Sequence, residues 1–595
     1  MRTRFLACIL CGTLLWSPLA LAGMTIAPDH PDIQYTGRWE TSNPAQPWSY
    51  WIGSSLVAKF EGTSLTAVMQ GGSTDYIRVI IDGNTSASVK RTVSPLLSTY
   101  TLAAGLTDTV HQVELIKETD GGDWVFHGFE LDDGRSLTSP PARPAHRIAF
   151  YGDSNLAGYS LESEENESGE GLRGSYYGYA GIASRMLDAA YHNVSRSGAT
   201  ISSLHGVYDR FDFQSSTPVW DFNDFQADVV VVNLGANDVG RPQHRIVADY
   251  HALLDDLRWV YPAAHIMLFN AWGWDYDEPA NYIHEVIAER ADPNMSSAVF
   301  PWIFEQWHGC EYDHAGMAQV LANHLTAVMG WSQSPTDVMN GFGVNGDVAN
   351  GSFEEAAPFG GYGWRYMNDP GVSRVHDTGS SFDGAYHLRL ENGAAAHQPV
   401  PATAWQTFSL VAWMRGAEPG ESVDVTLDFR DQEMWTAPLQ TDTRTFVLTD
   451  AWQVYSLEAV APGGTPNPVF HMRVTFKAAA GATVEVDNVT LMEVTDAGDP
   501  ELSAAGIWLT AGPNPFNPRI RIELGLTESG PFQLTVHDLT GRRVATLASG
   551  RSTNGPLVVY WSGRDDSSRP VGSGVYFARL TAGTHRLIRK MVLLR

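Results

Sequence analysis

The stretch Arg147-Ile148-Ala149-Phe150-Tyr151-Gly152-Asp153-Ser154 decides the fold of the central part of this 595-residue chain. Its apolar run is short and does not alternate, as expected of a strand buried on both faces. The glycine that follows permits a tight turn. Two similar runs lie downstream, Asp228-Val-Val-Val-Val-Asn233 and His265-Ile-Met-Leu-Phe-Asn270. Helical periodicity separates and follows them, over Tyr179–Ala190, Ile246–Val260 and Gly316–Met329. Apolar strands alternating with helices predict a parallel sheet covered on both faces, an α/β domain over 145–333. In such sheets ligands bind at the carboxyl ends of the strands, where Gly152-Asp153-Ser154 falls.

Residues 30–135 carry short alternating runs. Examples are Ser55-Leu-Val-Ala-Lys-Phe60, Ser64-Leu-Thr-Ala-Val-Met69 and Tyr76-Ile-Arg-Val-Ile-Ile81, the last followed by Asp82-Gly83. Strand runs with turn punctuation predict a β-sandwich over 23–138. Ser139-Pro140-Pro141-Ala142-Arg143-Pro144 reads as a stiff linker. Beyond the α/β domain, 340–495 and 503–595 return to β patterning without an internal repeat.

Arg2 and Arg4, the apolar run Phe5–Trp16 and Ala20-Leu21-Ala22 read as a secretory signal over 1–22. The apolar run is too short to span a bilayer, and no other stretch looks transmembrane. Cys8 and Cys11 fall inside that segment, so only Cys310 remains for a mature chain, which then has no internal disulfide. The net charge of −28 argues against nucleic acid as a partner, because phosphates would be repelled. It also serves solubility.

A serine hydroxyl is a weak nucleophile until a base takes its proton. Alone, Gly152-Asp153-Ser154 reads equally as a strand-to-helix turn with a serine cap. Three further blocks change the balance: Ser197-Gly198-Ala199, Gly235-Ala236-Asn237-Asp238 after the second apolar strand, and Glu311-Tyr312-Asp313-His314 before the last helix. Their order and spacing resemble the SGNH (GDSL-type) hydrolases. The resemblance implies Ser154 as nucleophile, and an oxyanion hole built from the Ser154 and Gly198 N–H groups and the Asn237 side chain. It implies His314 as base, with Glu311 orienting its ring. Asp313 or a backbone carbonyl are rival partners for that ring, and His308 is the alternative base. Trp272, Trp274 and Tyr276 follow the third strand and are candidates for stacking on sugar rings, or for loop packing.

Residues 30–137 also resemble the N-terminal jelly roll of the family-two carbohydrate esterases. The matching pieces are Gly37-Arg38-Trp39, Phe60-Glu61-Gly62-Thr63-Ser64, Ile81-Asp82-Gly83, Leu106-Thr-Asp-Thr-Val-His111 and Phe126-His127-Gly128-Phe129. That family removes acetyl groups from plant-cell-wall polysaccharides without a metal. The resemblance thus implies a secreted acetyl esterase acting on xylan or mannan, with no catalytic cofactor. Rival expectations are a lipase, a thioesterase or a peptidoglycan deacetylase on the same fold, or a non-enzymatic glycan-binding surface protein.

The third region resembles galactose-binding-type jelly rolls found as carbohydrate-binding modules, through Asn350-Gly351-Ser352-Phe353-Glu354 and Val486-Asp487-Asn488-Val489. It implies a structural calcium at Glu354 and Asp487, and a sugar platform from Trp364, Tyr366 and Trp435. The last region resembles the C-terminal sorting domain of type IX secretion, or an immunoglobulin-like spacer. Its markers are Asn514-Pro515-Phe516-Asn517-Pro518, Val536-His-Asp-Leu-Thr-Gly541-Arg542, Gly572-Ser-Gly-Val-Tyr-Phe577 and Lys590-Met-Val-Leu-Leu-Arg595. The expected architecture is therefore multidomain. A flavodoxin-like three-layer α/β SGNH domain is flanked by an N-terminal β jelly roll, a galactose-binding-like β jelly roll and a C-terminal immunoglobulin-like β-sandwich. Acetylated polysaccharide is the expected substrate and outer-membrane secretion machinery an expected partner.

Overall fold

The computed structural model describes residues 24–595, apart from 73, 164–166, 215, 239, 272–280, 301–307, 335–347, 355, 358–359, 362–363, 365–369, 431–436, 464–468, 470, 494–507, 513–515, 517, 527–530, 539–541, 552–554, 568, 573, 583–584 and 594–595. The expected signal segment, Trp272, Trp274, Tyr276, Tyr366 and Trp435 lie outside the described residues.

The central sheet is parallel throughout. Numbered within this domain, its strands are β1 (His146–Gly152), β2 (Ala189–Ser195), β3 (Val229–Asn233), β4 (His265–Ala271) and β5 (Met295–Phe300). They pair in the spatial order 2-1-3-4-5, the flavodoxin-like winding. Both faces of β3 are buried, which is why its sequence is four consecutive valines. The helices are α1 (Tyr179–Met186), α2 (Ile201–His205), α3 (Gln243–Val260), α4 (Asn281–Arg290) and α5 (Glu311–Met329). One apolar core holds Leu253, Leu257 and Ile283 from α3 and α4, and the other holds Ile182 and Leu321 from α1 and α5. The domain is thus a three-layer sandwich.

Two differences from the sequence pattern matter for the site. The pattern predicts helix from Tyr179 to Ala190, but α1 stops at Met186 and the chain turns at once into β2. Asp188, between them, adopts φ 48°, a left-handed turn that ends the helix. The pattern also starts the last helix at Gly316, whereas α5 begins at Glu311. The Asp313 carboxylate accepts the Cys310 backbone N–H at 2.9 Å, so an acid in the first turn caps the helix one turn early.

The N-terminal region folds as two antiparallel sheets, one containing Leu65–Gln70 and Trp124–Leu131, the other Ser55–Gly62, Thr109–Lys117 and Asp75–Ile81. Alternate residues Leu56, Ala58, Phe60 and Leu65, Ala67, Met69 fill the space between them. Its contact with the central domain is apolar in part, with Tyr50 and Trp51 joining the core of α3 and α4, and in part polar and buried. The Arg38 guanidinium donates to the carbonyls of Tyr208 (2.7 Å) and Arg210 (2.9 Å) and to the Tyr151 hydroxyl (2.8 Å). Arg78 pairs with Glu118 of its own domain and Glu162 of the other, both at 2.5 Å.

The third region is a sandwich of a five-stranded and a four-stranded antiparallel sheet around Leu388, Leu410, Leu427, Val474 and Val486. The last is a smaller sandwich of three and four strands around Leu509, Ile522, Val536 and Leu580. Phe577 and Ile588 of the last pack on Val411 and Met492 of the third. Among the described residues, no helix is long and apolar enough to cross a membrane.

Candidate active site

The register of the sheet assembles the site. Gly152 at the end of β1 lies opposite Ser195 of β2 and Asn233 of β3, so three adjacent strands end together. Their loops carry Ser154, Gly198 and Asn237. Gly152 must lack a side chain: a Cβ there would stand 2.8 Å from the Asn233 carbonyl oxygen and 2.6 Å from Leu156. Gly198 is glycine for a different reason. Its φ of +80° disfavours L-residues, although a Cβ would meet nothing. The Asn237 amide donates one N–H to the Ala199 carbonyl at 3.0 Å, which ties its loop to that of Gly198. The amide nitrogen keeps a second N–H for a ligand.

The histidine beside the serine is His308. Its Nε2 lies 2.9 Å from Ser154 Oγ, within reach for proton transfer. Asn155, next to the serine, donates its side-chain N–H to the His308 carbonyl at 2.8 Å. The Tyr159 ring lies 4.6 Å from the His308 ring. Burial, assisted by the Arg173 charge, depresses His308 to about 4. The imidazole is therefore neutral near pH 7, the state a base requires.

This corrects the expectation placed on His314. Because α5 begins at Glu311, His314 sits in the first turn of a helix whose face is buried against α1. Its Nδ1 accepts the Tyr179 backbone N–H at 3.1 Å, so the proton sits on Nε2, which donates to the His308 carbonyl at 3.1 Å. His314 thus braces the backbone of His308 instead of touching Ser154. Both its ring nitrogens are engaged by backbone, so Glu311 and Asp313 do not orient it. Glu311 is wholly buried, and burial holds its carboxyl well above the usual range. Asp313 caps α5. The signal overlooked in the sequence is an acid-x-x-His spacing that occurs twice, at Glu305-Gln306-Trp307-His308 as well as at Glu311–His314. Glu305 lies outside the described residues.

Two expectations in the third region also change. Trp364 is a core residue, packed between Phe353 and Phe476, with its indole N–H donating to the Asn350 carbonyl at 3.1 Å. It offers no face to a sugar. Glu354 and Asp487 both brace the 382–386 loop. Glu354 accepts the N–H groups of Ala385 and Tyr386, and Asp487 those of Phe382, Asp383 and Asn488. Calcium takes six to eight oxygens. Here Glu354 Oε1 and both Asp487 oxygens face backbone donors, and the described residues gather no group of three acidic, His or Cys side chains. These residues do not make a calcium fit.

Residues 35–141 match the carbohydrate esterase 2 N-terminal family, and residues 150–295 match the GDSL-like lipase/acylhydrolase family. The second match stops short of His308, whose place beside Ser154 rests on the geometry alone. A cellulase/esterase of Acetivibrio thermocellus is 30% identical over 331 residues, 51% of this chain and 40% of that protein. The chain therefore spans less than half the length of that relative. An acetylxylan esterase/glucomannan deacetylase of Cellvibrio japonicus is 27% identical over 334 residues, 52% of this chain and 92% of that protein. Among solved structures, a family two carbohydrate esterase from Clostridium thermocellum in complex with cellohexaose is 28% identical, with a TM-score of 0.47. It covers 50% of this chain and 99% of that one. One from Cellvibrio japonicus is 23% identical, with a TM-score of 0.49 over 52% of this chain and 99% of that one. Residues 35–141 of this chain are thus similar to carbohydrate esterase 2 N-terminal domains, and the adjoining residues 150–295 to GDSL-like lipases/acylhydrolases.

Proposed function

We propose that the protein is a carboxylic ester hydrolase that removes O-acetyl groups from plant-cell-wall polysaccharide, xylan or mannan, through an acetyl-enzyme. The observation that carries this reading is the 2.9 Å approach of His308 Nε2 to Ser154 Oγ at the carboxyl edge of the sheet. The esterase names of the relatives and the carbohydrate esterase N-terminal domain support the substrate class.

In this mechanism Ser154 Oγ attacks the acetyl carbonyl as His308 takes its proton. The oxyanion is received by the N–H groups of Ser154 and Gly198 and by the Asn237 amide. Each such donor is worth on the order of 3–4 kcal/mol in the transition state. His308 then gives its proton to the departing sugar oxygen. Water, deprotonated by the same imidazole, attacks the acetyl-enzyme, and His308 returns that proton to Ser154 Oγ as acetate leaves. The chemistry needs no metal or cofactor.

The sequence of 1–22 supports export, and so a secreted or surface-attached enzyme. Residues 340–495 would hold the enzyme on glycan, and 503–595, an immunoglobulin-like sandwich in this reading, would engage type IX secretion machinery. The resemblances at Asn350–Glu354, Val486–Val489 and Lys590–Arg595 support these two assignments.

The test is acetate release from acetylated xylan, acetylated mannan, acetylated peptidoglycan and longer-chain acyl esters. Fastest release from a plant polysaccharide, lost in Ser154→Ala, is the expected result. Preference for peptidoglycan or long acyl chains, or an active Ser154→Ala, overturns the reading.

A further inference from the structure

The loop that joins strands Thr109–Lys117 and Trp124–Leu131 of the N-terminal domain begins with Glu118, Thr119 and Asp120. With Lys117 before them, these are four consecutive polar residues, all buried. Such a run is costly unless its groups are satisfied, so its partners identify its purpose. Lys117 is held within its own domain by Asp75. Thr119 is held there too, donating its hydroxyl to Asp75 at 2.9 Å, whereas Glu118 and Asp120 reach across. Glu118 accepts the backbone N–H groups of Ser175 and Tyr176, just ahead of α1. Asp120 accepts the backbone N–H of Ser197 at 2.6 Å and pairs through its other oxygen with Arg173. Arg173 in turn donates to the Ser197 hydroxyl at 3.2 Å and lies over the Tyr159 ring that packs on His308.

Ser197 precedes Gly198, and the Gly198 N–H belongs to the peptide unit that Ser197 begins. Within the central domain this loop is held by Arg196 N–H on the Gly152 carbonyl at 3.3 Å, Ala199 N–H on the Arg196 carbonyl at 3.0 Å, the Asn237 amide on the Ala199 carbonyl at 3.0 Å and Arg173 on the Ser197 hydroxyl at 3.2 Å, and none of these takes the Ser197 N–H. Gly198 is exposed and, as glycine, free to take several conformations. Its N–H direction therefore depends on what fixes Ser197. A charged acceptor on the Ser197 N–H is a strong and directional clamp.

We propose that Asp120 of the N-terminal β domain is a positioning residue of the active site, which with Arg173 fixes Ser197 and so aims the Gly198 N–H at the oxyanion. The β domain is then a structural part of the catalytic centre as well as any substrate-binding surface it provides. The inference rests on Ser154 as the nucleophile.

The full chain is tested with 4-nitrophenyl acetate, a substrate too small to depend on glycan contacts. Rates are expressed per Ser154 titrated with a fluorophosphonate, so an unfolded fraction does not count. Asp132→Ala is the control. Asp132 also clamps backbone, accepting the N–H groups of Thr63 (2.5 Å) and Ser64 (3.2 Å), but far from the site in the same domain. Misplacing a catalytic group by an ångström costs up to about a hundredfold, so Asp120→Ala is expected to lose about thirtyfold in kcat with KM within about twofold. Affinity for a boronic acid, which mimics the tetrahedral anion, falls by a similar factor. Asp120→Asn lies between, because its one carbonyl oxygen can serve Ser197 or Arg173 but not both. Asp132→Ala keeps its kcat within about twofold. The proposal is overturned if Asp120→Ala keeps kcat within twofold of the parent, if it loses no more than Asp132→Ala, or if boronate affinity is unchanged. An active Ser154→Ala overturns the nucleophile assignment itself. An inactive Ser154→Ala with undiminished Asp120→Ala overturns this inference alone.

Discussion

His308 presents its Nε2 to Ser154 Oγ at 2.9 Å while its own carbonyl accepts the Nε2 proton of His314 at 3.1 Å. The two histidines therefore act in series, the first on the hydroxyl and the second on the first histidine's backbone. His308→Ala is expected to reduce kcat on the order of ten-thousandfold or more, since general base catalysis alone contributes up to about that factor. His314→Ala leaves the pair at Ser154 intact. It is expected to cost about tenfold in kcat, together with thermal stability, because it leaves the Tyr179 N–H without its acceptor. Steady-state kinetics and melting curves of both variants separate the roles.

Catalysis should persist into acid. His308 must be neutral to accept the proton, and burial with the neighbouring Arg173 charge holds it at about 4. The acid limb of kcat/KM is expected near pH 4, with most of the plateau retained at pH 5.5. An imidazole at its ordinary value of about 6.5 would leave about a tenth of the plateau at that pH. The profile should be measured on an uncharged substrate.

The ease with which the site can be read from sequence is uneven, for physical reasons. Ser154 and Asn237 each follow an apolar strand within a few residues, and such strand ends are marked by composition, whereas Gly198 follows β2 and is marked by its place in the ordered blocks. Strands β2 and β5 are harder to see, because Ala189–Ser195 and Met295–Phe300 mix polar residues into their runs. The base is obscured by two equal acid-x-x-His spacings. Only the start of α5 separates them, and it lies one turn earlier than the apolar periodicity suggests. That start is set by a single Asp313–Cys310 cap, which periodicity does not register. Trp364 shows the same limit, since a tryptophan in a sandwich loop reads equally as platform or core until its neighbours Phe353 and Phe476 are known. The clamp of Asp120 on Ser197 joins residues 77 apart in different domains, which no local pattern reveals.

Asp153 gives a stability prediction. It is wholly buried, and desolvation, with Asp238 nearby, raises its carboxyl to about 7. Below pH 3.8 the group is protonated in both folded and unfolded chains and carries no penalty. As pH rises toward 7 the unfolded chain gives up the proton while the folded one keeps it, so stability drains away. The total is on the order of 4 kcal/mol, at about 1.4 kcal/mol per pH unit. Asp153→Asn removes this titration. Relative to the parent, its unfolding free energy should rise between pH 4 and 7 and level off above. A difference that stays flat across that range would place the Asp153 carboxyl at its ordinary value.

Ser154 as nucleophile and His308 as its base are tested together by fluorophosphonate labelling, located by peptide mass spectrometry. One label per chain is expected, on Ser154, formed slowly or not at all in His308→Ala and readily in His314→Ala. A label elsewhere, or fast labelling of Ser154 in His308→Ala with loss in His314→Ala, would contradict these assignments.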